Sequence, residues 1–220
     1  LVNHKELLRV EKASPEHVSL FPWKSFGLLL EDKPFAKYMC CQFILGVGNL
    51  MLTAPMILVL SDSFSFNVLE EILIVSTIPI LMIPWSTPLW AKLLNKVHIL
   101  TFRAVHSWFF VVSSTCFALS IIFGFVPGLW IGAVIRGIAF GGGVLAWNLG
   151  HQDYAPVEQS GRYMGLHVTL TGIRGLVAPA LGVAIYKFLL SKNMHAGATV
   201  FFTGAVLSAI GGIGFIVLSK

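Results

Sequence analysis

The sequence predicts an all-α membrane protein, built as a bundle of six transmembrane helices. Its 220 residues are 56% hydrophobic and only 11% charged, whereas soluble domains are roughly 25% charged. Apolar residues gather in six runs, each near or above the ~20 residues that a helix needs to cross about 30 Å of hydrocarbon. We place these spans at about 36–60, 70–90, 103–124, 128–150, 163–189 and 197–218. The composition excludes a soluble globular domain.

Residues 1–34 precede the first span and are not expected to cross the membrane. Pro22 opens an apolar stretch that ends in charged residues before Pro34. A helix that begins at one proline and stops before the next is typical of a short interfacial helix. We therefore expect a cytoplasmic linker with an interfacial helix over 1–34 and the transmembrane bundle over 35–220. Because the chain starts at Leu1 and not at methionine, we also expect it to be a fragment.

Polar and Pro-Gly segments separate the spans. Residues 61–67 are expected to form a polar turn, 126–128 a Pro-Gly turn, and 191–195 a short polar link. Residues 92–98 and 152–162 are longer polar connections.

The Lys/Arg distribution predicts the orientation of the spans. Eleven Lys and Arg residues fall on one side of the predicted bundle, counting Arg103 at the start of the third span, and two fall on the other. Basic residues concentrate on the cytoplasmic side of membrane proteins. We therefore expect both termini in the cytoplasm and the protein in the cell (inner or plasma) membrane. The net charge of +5 is spread over span ends, which indicates membrane topology and not nucleic-acid binding.

Two arginines lie inside apolar spans. Arg136 is near the middle of the fourth span and Arg174 near the middle of the fifth, while Asp and Glu occur only at span ends and in loops. A central arginine costs about 2.5–3.5 kcal/mol to insert, so it normally faces a bundle interior or an aqueous path. Three partners are open for them: a carboxylate from a helix outside this chain, an anionic substrate, or backbone carbonyls freed at Gly and Pro sites. This pattern favours a membrane transport protein.

The fourth span carries candidate binding residues beside glycines. At 100° per residue, Arg136 and Trp147 share one face, and Gly137, Gly141 and Asn148 lie on a neighbouring face. The glycines permit close approach of another helix and also soften this one, and both roles are open. We count Trp147 and Asn148 among the candidates for substrate binding or coupling.

The fifth span has a polar stripe beside a stripe of small residues. His167, Thr171 and Arg174 follow i, i+4 and i+7 spacing. The neighbouring face carries Gly172, Gly175, Pro179 and Gly182. Pro179 should bend the helix, either as a static kink or as a hinge, because it removes a backbone donor. The small face suits a gate, and the polar stripe suits substrate binding or coupling, although His167 could also be a satisfied histidine near the cytoplasmic end.

A loop and two spans together resemble a known family. In the loop between the second and third spans, Ala91, Asn95, Lys96 and His98 stand at the four defined positions of a cytoplasmic motif of the major facilitator superfamily, which reads Gly, three residues, Asp, Arg or Lys, any residue, Gly. Only Lys96 is retained. In the family this loop forms a latch, so Asn95 and Lys96 are gating candidates. A neutral Asn95 is still able to cap a helix N-terminus.

The membrane spans extend this resemblance. Arg136 with its following glycines looks like the arginine-glycine motif of the family's tenth helix, and Gly175, Pro179 and Gly182 look like the glycine-proline motif of its eleventh. Residues 155–165 resemble the entry into that eleventh helix. The resemblance implies helices seven to twelve, that is, half of a twelve-helix major facilitator fold. It also implies an N-terminal six-helix half as partner, the lipid bilayer around both, and a small-molecule substrate.

The expected function is a secondary active transporter that moves a small solute by alternating access, with an anionic substrate and proton coupling both open. The alternative is a complete six-span channel or membrane assembly partner without transport activity of its own. An enzyme is not expected, because the spans contain no HExxH, no GxSxG and no clustered acids. No cofactor or metal is expected, since Cys40, Cys41 and Cys116 lie in apolar runs and no ligand spacing is present.

Overall fold

A computed structural model describes residues 26–192 and 195–220, which form helices and turns with no strand among them. Within this part of the chain, six segments are long and apolar enough to cross a membrane. These segments, called the first to sixth spans below, are Lys33–Phe64, Val68–Leu94, Ile99–Phe123, Val126–Leu149, Val157–Leu190 and Ala196–Leu218. The predicted fold class is confirmed. Most of the predicted linker, residues 1–25, lies outside the described residues.

The first span consists of two helices and is preceded by a short one. Their bounds are Leu28–Glu31, Lys33–Leu50 and Thr53–Phe64. Asp32 separates the short helix from the span, and its carboxylate accepts a hydrogen bond from the Phe35 backbone N–H at 3.0 Å. An aspartate in this position satisfies a donor that has no partner inside the helix. Pro34 follows in the first turn, where its missing N–H costs nothing.

The second span contains a π-helical segment. It runs through Val68–Ile72, the π segment Leu73–Thr77, and Ile78–Leu94. Pro79 lies two residues after this segment, and its ring would crowd the carbonyl four residues earlier in a regular α-helix. A wider turn before Pro79 relieves this crowding. The span begins at a capping box, in which Asn67 and Glu70 each accept a hydrogen bond from the other's backbone N–H at 3.0 Å.

The turn before the fourth span differs from the predicted Pro-Gly turn at 126–128. The reversal is made by Gly124 and Phe125, and the helix has already started at Val126. Gly124 adopts a φ of 60°, the left-handed conformation that commonly ends a helix at glycine. Pro127 instead occupies the first turn of the new helix, where proline is favoured.

The remaining helices are Ile99–Phe123, Val126–Leu149, Ser160–Leu190 and Ala196–Leu218, with a 3-10 turn at Val157–Gln159 before the fifth span. The closest packing places the spans in the order second, fourth, third, sixth, first and fifth. The second and fifth spans are the two ends of this arc. In their most apolar stretches only 11% and 17% of residues are buried, against 44–50% in the other four spans.

Two apolar clusters form the core, one towards each end of the helices. We call the side on which the chain enters the first span the entry end, and the opposite side the far end. The entry-end cluster includes Phe35, Tyr38 and Phe215. In the far-end cluster, Phe117 of the third span packs on Phe201 of the sixth, with ring centroids 5.4 Å apart. Aromatic side chains supply large buried areas in both clusters. The interior faces of the arc are left for polar residues.

Candidate functional site

A cavity of about 450 Å³ lies on the interior of the arc and is lined by residues from the first five spans. Its charged and amide side chains are Gln42, Asn49, Arg103, Asn148 and Arg174. Its aromatic side chains are Phe110, Phe140 and Trp147. A concave site of this size with a few polar groups on an apolar wall is typical of a small-molecule site.

Arg174 is buried against the first span, with 8% of its surface exposed. Its Nη1 donates a hydrogen bond to the backbone carbonyl of Gln42 at 2.9 Å. The guanidinium lies directly over Gly46, where an added Cβ would overlap the Nη1 and Cζ atoms of Arg174. Glycine is therefore required at this position for the arginine to lie flat on the first span.

Arg136 connects two spans that are not neighbours in the arc. It is 6% exposed, and it donates to Thr53 Oγ1 and Met56 Sδ of the first span, each at 3.3 Å. Its guanidinium also lies over the Phe140 ring, 5.4 Å from the centroid. Arg136 is not among the cavity-lining residues. It closes the space between the fourth and first spans on the far-end side of Phe140.

The predicted stripe of His167, Thr171 and Arg174 divides between two neighbours. Trp147 of the fourth span donates its Nε1–H to Thr171 Oγ1 at 3.3 Å, and its ring lies 6.0 Å from that of His167. His167 is fully buried, and neither ring nitrogen has a hydrogen-bond partner. The structure thus brings Trp147, His167 and Thr171 together, while Arg174 contacts the first span.

Asn148 lies beside Trp147 at the edge of the cavity. Its side chain is exposed and donates to the Val144 carbonyl of its own helix at 2.8 Å. The amide oxygen is therefore available to the cavity.

Arg103 is the charged cavity residue that the sequence prediction missed, because it was assigned to the cytoplasmic side, and Gln42, Asn49, Phe110 and Phe140 were not predicted as site residues either. It is 2% exposed inside the third span, and its Nη1 lies 3.1 Å from His106 Nδ1. His106 Nε2 lies 2.7 Å from the Ala139 carbonyl. A carbonyl only accepts, so His106 carries its proton on Nε2, and Nδ1 accepts from Arg103. The i, i+3, i+4 spacing of Arg103, His106 and Ser107 in an apolar run was the available signal.

No carboxylate of the described residues forms an ion pair with these buried arginines. Within 26–192 and 195–220 the ion pairs join Glu31 to Arg162 at 2.9 Å and His98 to Asp153 at 3.6 Å. Both lie at the entry end, outside the cavity. The sequence left three classes of partner open for these arginines. Arg174 binds one of them, a backbone carbonyl. This carbonyl belongs to Gln42 of the first span and not to a Gly or Pro site of the fifth span.

The glycines have unequal roles. Gly137 and Gly141 allow the fourth span to pack against the backbone of the second, at Pro79, Ile83 and Thr87. In the fifth span, Gly182 packs on the carbonyl of Met51, at the junction of the two helices of the first span, whereas Gly172 and Gly175 meet nothing within 4 Å. The helix runs without a break through Pro179.

The loop after the second span places Asn95 at a helix C-terminus and not at an N-terminus. Asn95 is the C-cap of the Ile78–Leu94 helix and, like Lys96, is exposed. The third span is instead capped by His98, whose Nδ1 accepts from Leu100 N at 3.2 Å, and by Asp153, whose Oδ2 accepts from Ile99 N at 2.8 Å.

Comparison with known proteins identifies the family. The family model described as Major Facilitator Superfamily matches residues 3–179, which is well over half of the 220 residues. No curated protein and no solved structure matches the chain. The match covers the first four spans and the fifth as far as Pro179, including all three buried arginines. With its six apolar spans and this match, the chain belongs to the major facilitator superfamily of membrane transporters.

Proposed function

We propose that this chain is the C-terminal six-helix half of a secondary active transporter, which moves a small solute across the membrane by alternating access. The observation that carries the proposal is the cavity on the interior of the arc. It contains Arg174, which has no carboxylate partner in the described chain. Membrane transporters place substrates near the bilayer midplane, between two repeats.

The open ends of the arc support a partner half. Trp85 on the second span is 77% exposed and Leu176 on the fifth is 80% exposed. Gly165 and Gly172 also face open space, which leaves room for a closely packed helix. Lipid and an N-terminal six-helix half are the proposed neighbours of these faces, with residues 1–34 as the linker between halves.

The residues have the following proposed roles in transport, and the contacts described above support those of Arg174 and Arg136. Arg174 binds the substrate or a mobile carboxylate, and Arg136 mainly joins the fourth and first spans. The other proposed substrate-binding or coupling residues are Trp147, Asn148, His167 and Thr171. The proposed gating residues are Asn95, Lys96, Gly175, Pro179 and Gly182.

We propose that the entry end faces the cytoplasm, with both termini inside the cell membrane. The support is the asymmetry of ten Lys and Arg residues against two, since Arg103 lies in the interior of the bundle.

Transport by the full-length protein in proteoliposomes tests the role of Arg174. Arg174→Lys is expected to slow initial rates although the charge is kept, because lysine lacks the planar guanidinium fork. Arg136→Lys is the matched control and should have a milder effect. All rates are compared at equal reconstituted protein. Near-normal rates for both Arg174→Lys and Arg174→Gln would remove Arg174 from the mechanism.

Expression of residues 1–220 alone tests the need for a second half. The chain should insert but should not catalyse saturable uptake, because a site between two repeats would lack one wall. Saturable transport by this chain alone would overturn the proposal, whereas unsaturable flux would favour the alternative of a six-span channel.

Proton coupling through His167 is tested in the same vesicles. The charged groups near this ring are Arg103, Arg174 and His151. If His167 carries the proton, a pH gradient should accelerate transport by the natural protein and not by His167→Gln. Equal acceleration of both would place the carrier elsewhere.

A further inference from the structure

We propose that the cavity binds an amphipathic organic anion, whose anionic group lies between Arg103 and Arg174 and whose apolar body lies on the aromatic wall. The inference rests on the proposed transport function and adds a substrate class to it. Arg103 becomes a binding residue alongside Arg174.

The charges of the cavity are the first support. Two arginines line it, and no Asp or Glu is among its lining residues. Neither arginine has an ion-pair partner among the described residues. A buried charge without a partner is strongly unfavourable, so an anion that enters beside the two guanidinium groups would relieve a cost that is already present.

Both guanidinium groups are held from behind. Arg103 donates to His106, which in turn donates to the Ala139 carbonyl of the fourth span. Arg174 donates to the Gln42 carbonyl and rests on Gly46. Arg103 also lies against Tyr38 and Phe215. The hydrogen bonds to His106 and Gln42 use one Nη atom of each arginine, so other N–H groups remain for a ligand. Planar guanidinium groups bind carboxylates and phosphates through paired hydrogen bonds.

The rest of the lining indicates what the anion carries. Phe110, Phe140 and Trp147 provide an aromatic wall. The amides of Asn49 and Asn148 also line the cavity, and their oxygens would accept a hydrogen bond from a ligand hydroxyl or N–H. These features fit a small organic acid, a carboxylate or a phosphate monoester, with an aromatic or apolar body and a hydrogen-bond donor. Inorganic anions supply the charge alone.

Binding to the full-length protein in nanodiscs tests the proposal. The probes are 4-hydroxybenzoate, 3-(4-hydroxyphenyl)propionate and 4-hydroxyphenyl phosphate, with the neutral amides of the two carboxylates and inorganic phosphate as comparisons. At least one organic acid should bind about tenfold more tightly than its amide or than inorganic phosphate, as expected for charge-assisted hydrogen bonds. The acids and the phosphate ester together distinguish the two anionic groups. Equal binding of acids and amides, or no binding of any organic anion, would overturn the proposal.

Variants locate the site. Arg103→Gln and Arg174→Gln should each weaken binding of the acid about tenfold or more and leave amide binding unchanged. Arg162→Gln is the matched control, because Arg162 pairs with Glu31 at the entry end. The Arg162→Gln protein should bind the acid as tightly as the natural protein does. If all three variants weakened binding equally, the effect would come from the charge of the protein surface and not from this site.

Gly143→Leu gives an independent test that leaves both arginines in place. Gly143 lines the cavity, and a Cβ there would meet Phe110 Cζ at 3.9 Å, an ordinary contact, so the rest of a leucine side chain would extend into the cavity. Binding of the acid should be lost while the thermal midpoint is maintained. Unchanged acid affinity in this folded variant would show that the anion binds outside the cavity.

Failure of this inference is separable from failure of the transport proposal. Uptake of the neutral amide as fast as the acid would reject the anion class and leave transport intact. Tight, arginine-dependent acid binding without any uptake in proteoliposomes would support the anion site and reject the transport function.

Discussion

The absence of one Cβ, at Gly46, determines where Arg174 lies. Its guanidinium occupies the space that a side chain at position 46 would fill, and from there it reaches the Gln42 carbonyl. Gly161, at the start of the same helix as Arg174, would carry a Cβ with no described atom within 4 Å. The two glycines therefore have opposite tolerance to substitution.

Gly46→Ala should displace Arg174 and weaken both transport and acid binding. Overpacking of this kind costs about 1–3 kcal/mol of stability. Gly161→Ala is the control, since this position lies in the first turn of the fifth-span helix and an added Cβ meets no described atom within 4 Å. Thermal unfolding and initial transport rates of the full-length protein provide the measurements. If the two variants behave alike, the close packing of Arg174 on Gly46 does not determine the site.

The third span depends for its first turn on a carboxylate from another part of the chain. Asp153, in the loop after the fourth span, accepts the Ile99 backbone N–H at 2.8 Å, and its other contact is the His98 ring at 3.6 Å. A helix start has unsatisfied donors that such an oxygen stabilises. The contact also ties the fourth-to-fifth loop to the loop after the second span.

Asp153→Ala should therefore destabilise the protein by about 1 kcal/mol, the usual cost of losing a helix cap. Glu158→Ala in the same loop is the matched control, because Glu158 is exposed. Thermal unfolding in detergent is the measurement. A loss as large for Glu158→Ala would show that negative charge in the loop matters, and not the cap.

The short helix before the first span is held to the fifth span by a bidentate ion pair, in which Arg162 donates to both carboxylate oxygens of Glu31 at 2.9 Å. These hydrogen bonds hold the pKa of Glu31 below its ordinary value. A lowered folded-state pKa means that the pair stabilises the fold above the ordinary glutamate range, and that this contribution is lost as pH falls through the lowered value.

Glu31→Gln should consequently lower the thermal midpoint slightly at neutral pH, because an exposed pair contributes little. The difference from the natural protein should shrink as pH falls below the ordinary glutamate pKa and disappear once pH has passed the lowered pKa of Glu31. Melting curves between neutral and acidic pH measure this, with Glu158→Gln as the control that removes a carboxylate from the neighbouring loop. A difference that persists unchanged in acid would mean that Glu31 acts through packing and not through its charge.

The six spans form an open arc, with the cavity on its interior and its two end spans poorly covered. Along the sequence, most Lys and Arg residues fall at span ends and connections on the entry-end side. If this end is cytoplasmic, a reagent outside the cell should reach loops at the far end and should not reach loops at the entry end.

Single cysteines placed in a background without the three native ones test this arrangement in intact cells. Cysteines at Asn95 and Gln152 should be shielded from an impermeant outside reagent, whereas one at Ser63 should react. All three positions are exposed on the protein, so all should react after permeabilisation. Outside labelling at Asn95 would reverse the orientation.

Hydropathy along the chain was sufficient to predict six spans. An apolar segment is unfavourable in water, and in lipid its backbone must form hydrogen bonds within the segment; both conditions depend on the segment itself and not on its neighbours. The same reasoning placed Arg136 and Arg174 in the interior. Local helix chemistry was less completely predicted. The π segment at Leu73–Thr77 and the reversal at Gly124 depend on how Pro79 and Pro127 are accommodated, and each proline allows more than one solution.

The partners of the buried side chains depended on tertiary packing. Arg174 could have met any of three partner classes, and its contact with Gln42 exists because Gly46 brings the two spans together. Arg103 was predicted at a span end, yet the helix starts four residues earlier and the sixth span covers it, with Phe215 5.4 Å away. Periodicity gives the face on which a residue lies, but which helix meets that face is set by interhelical distances, which in turn depend on residues far apart in the chain.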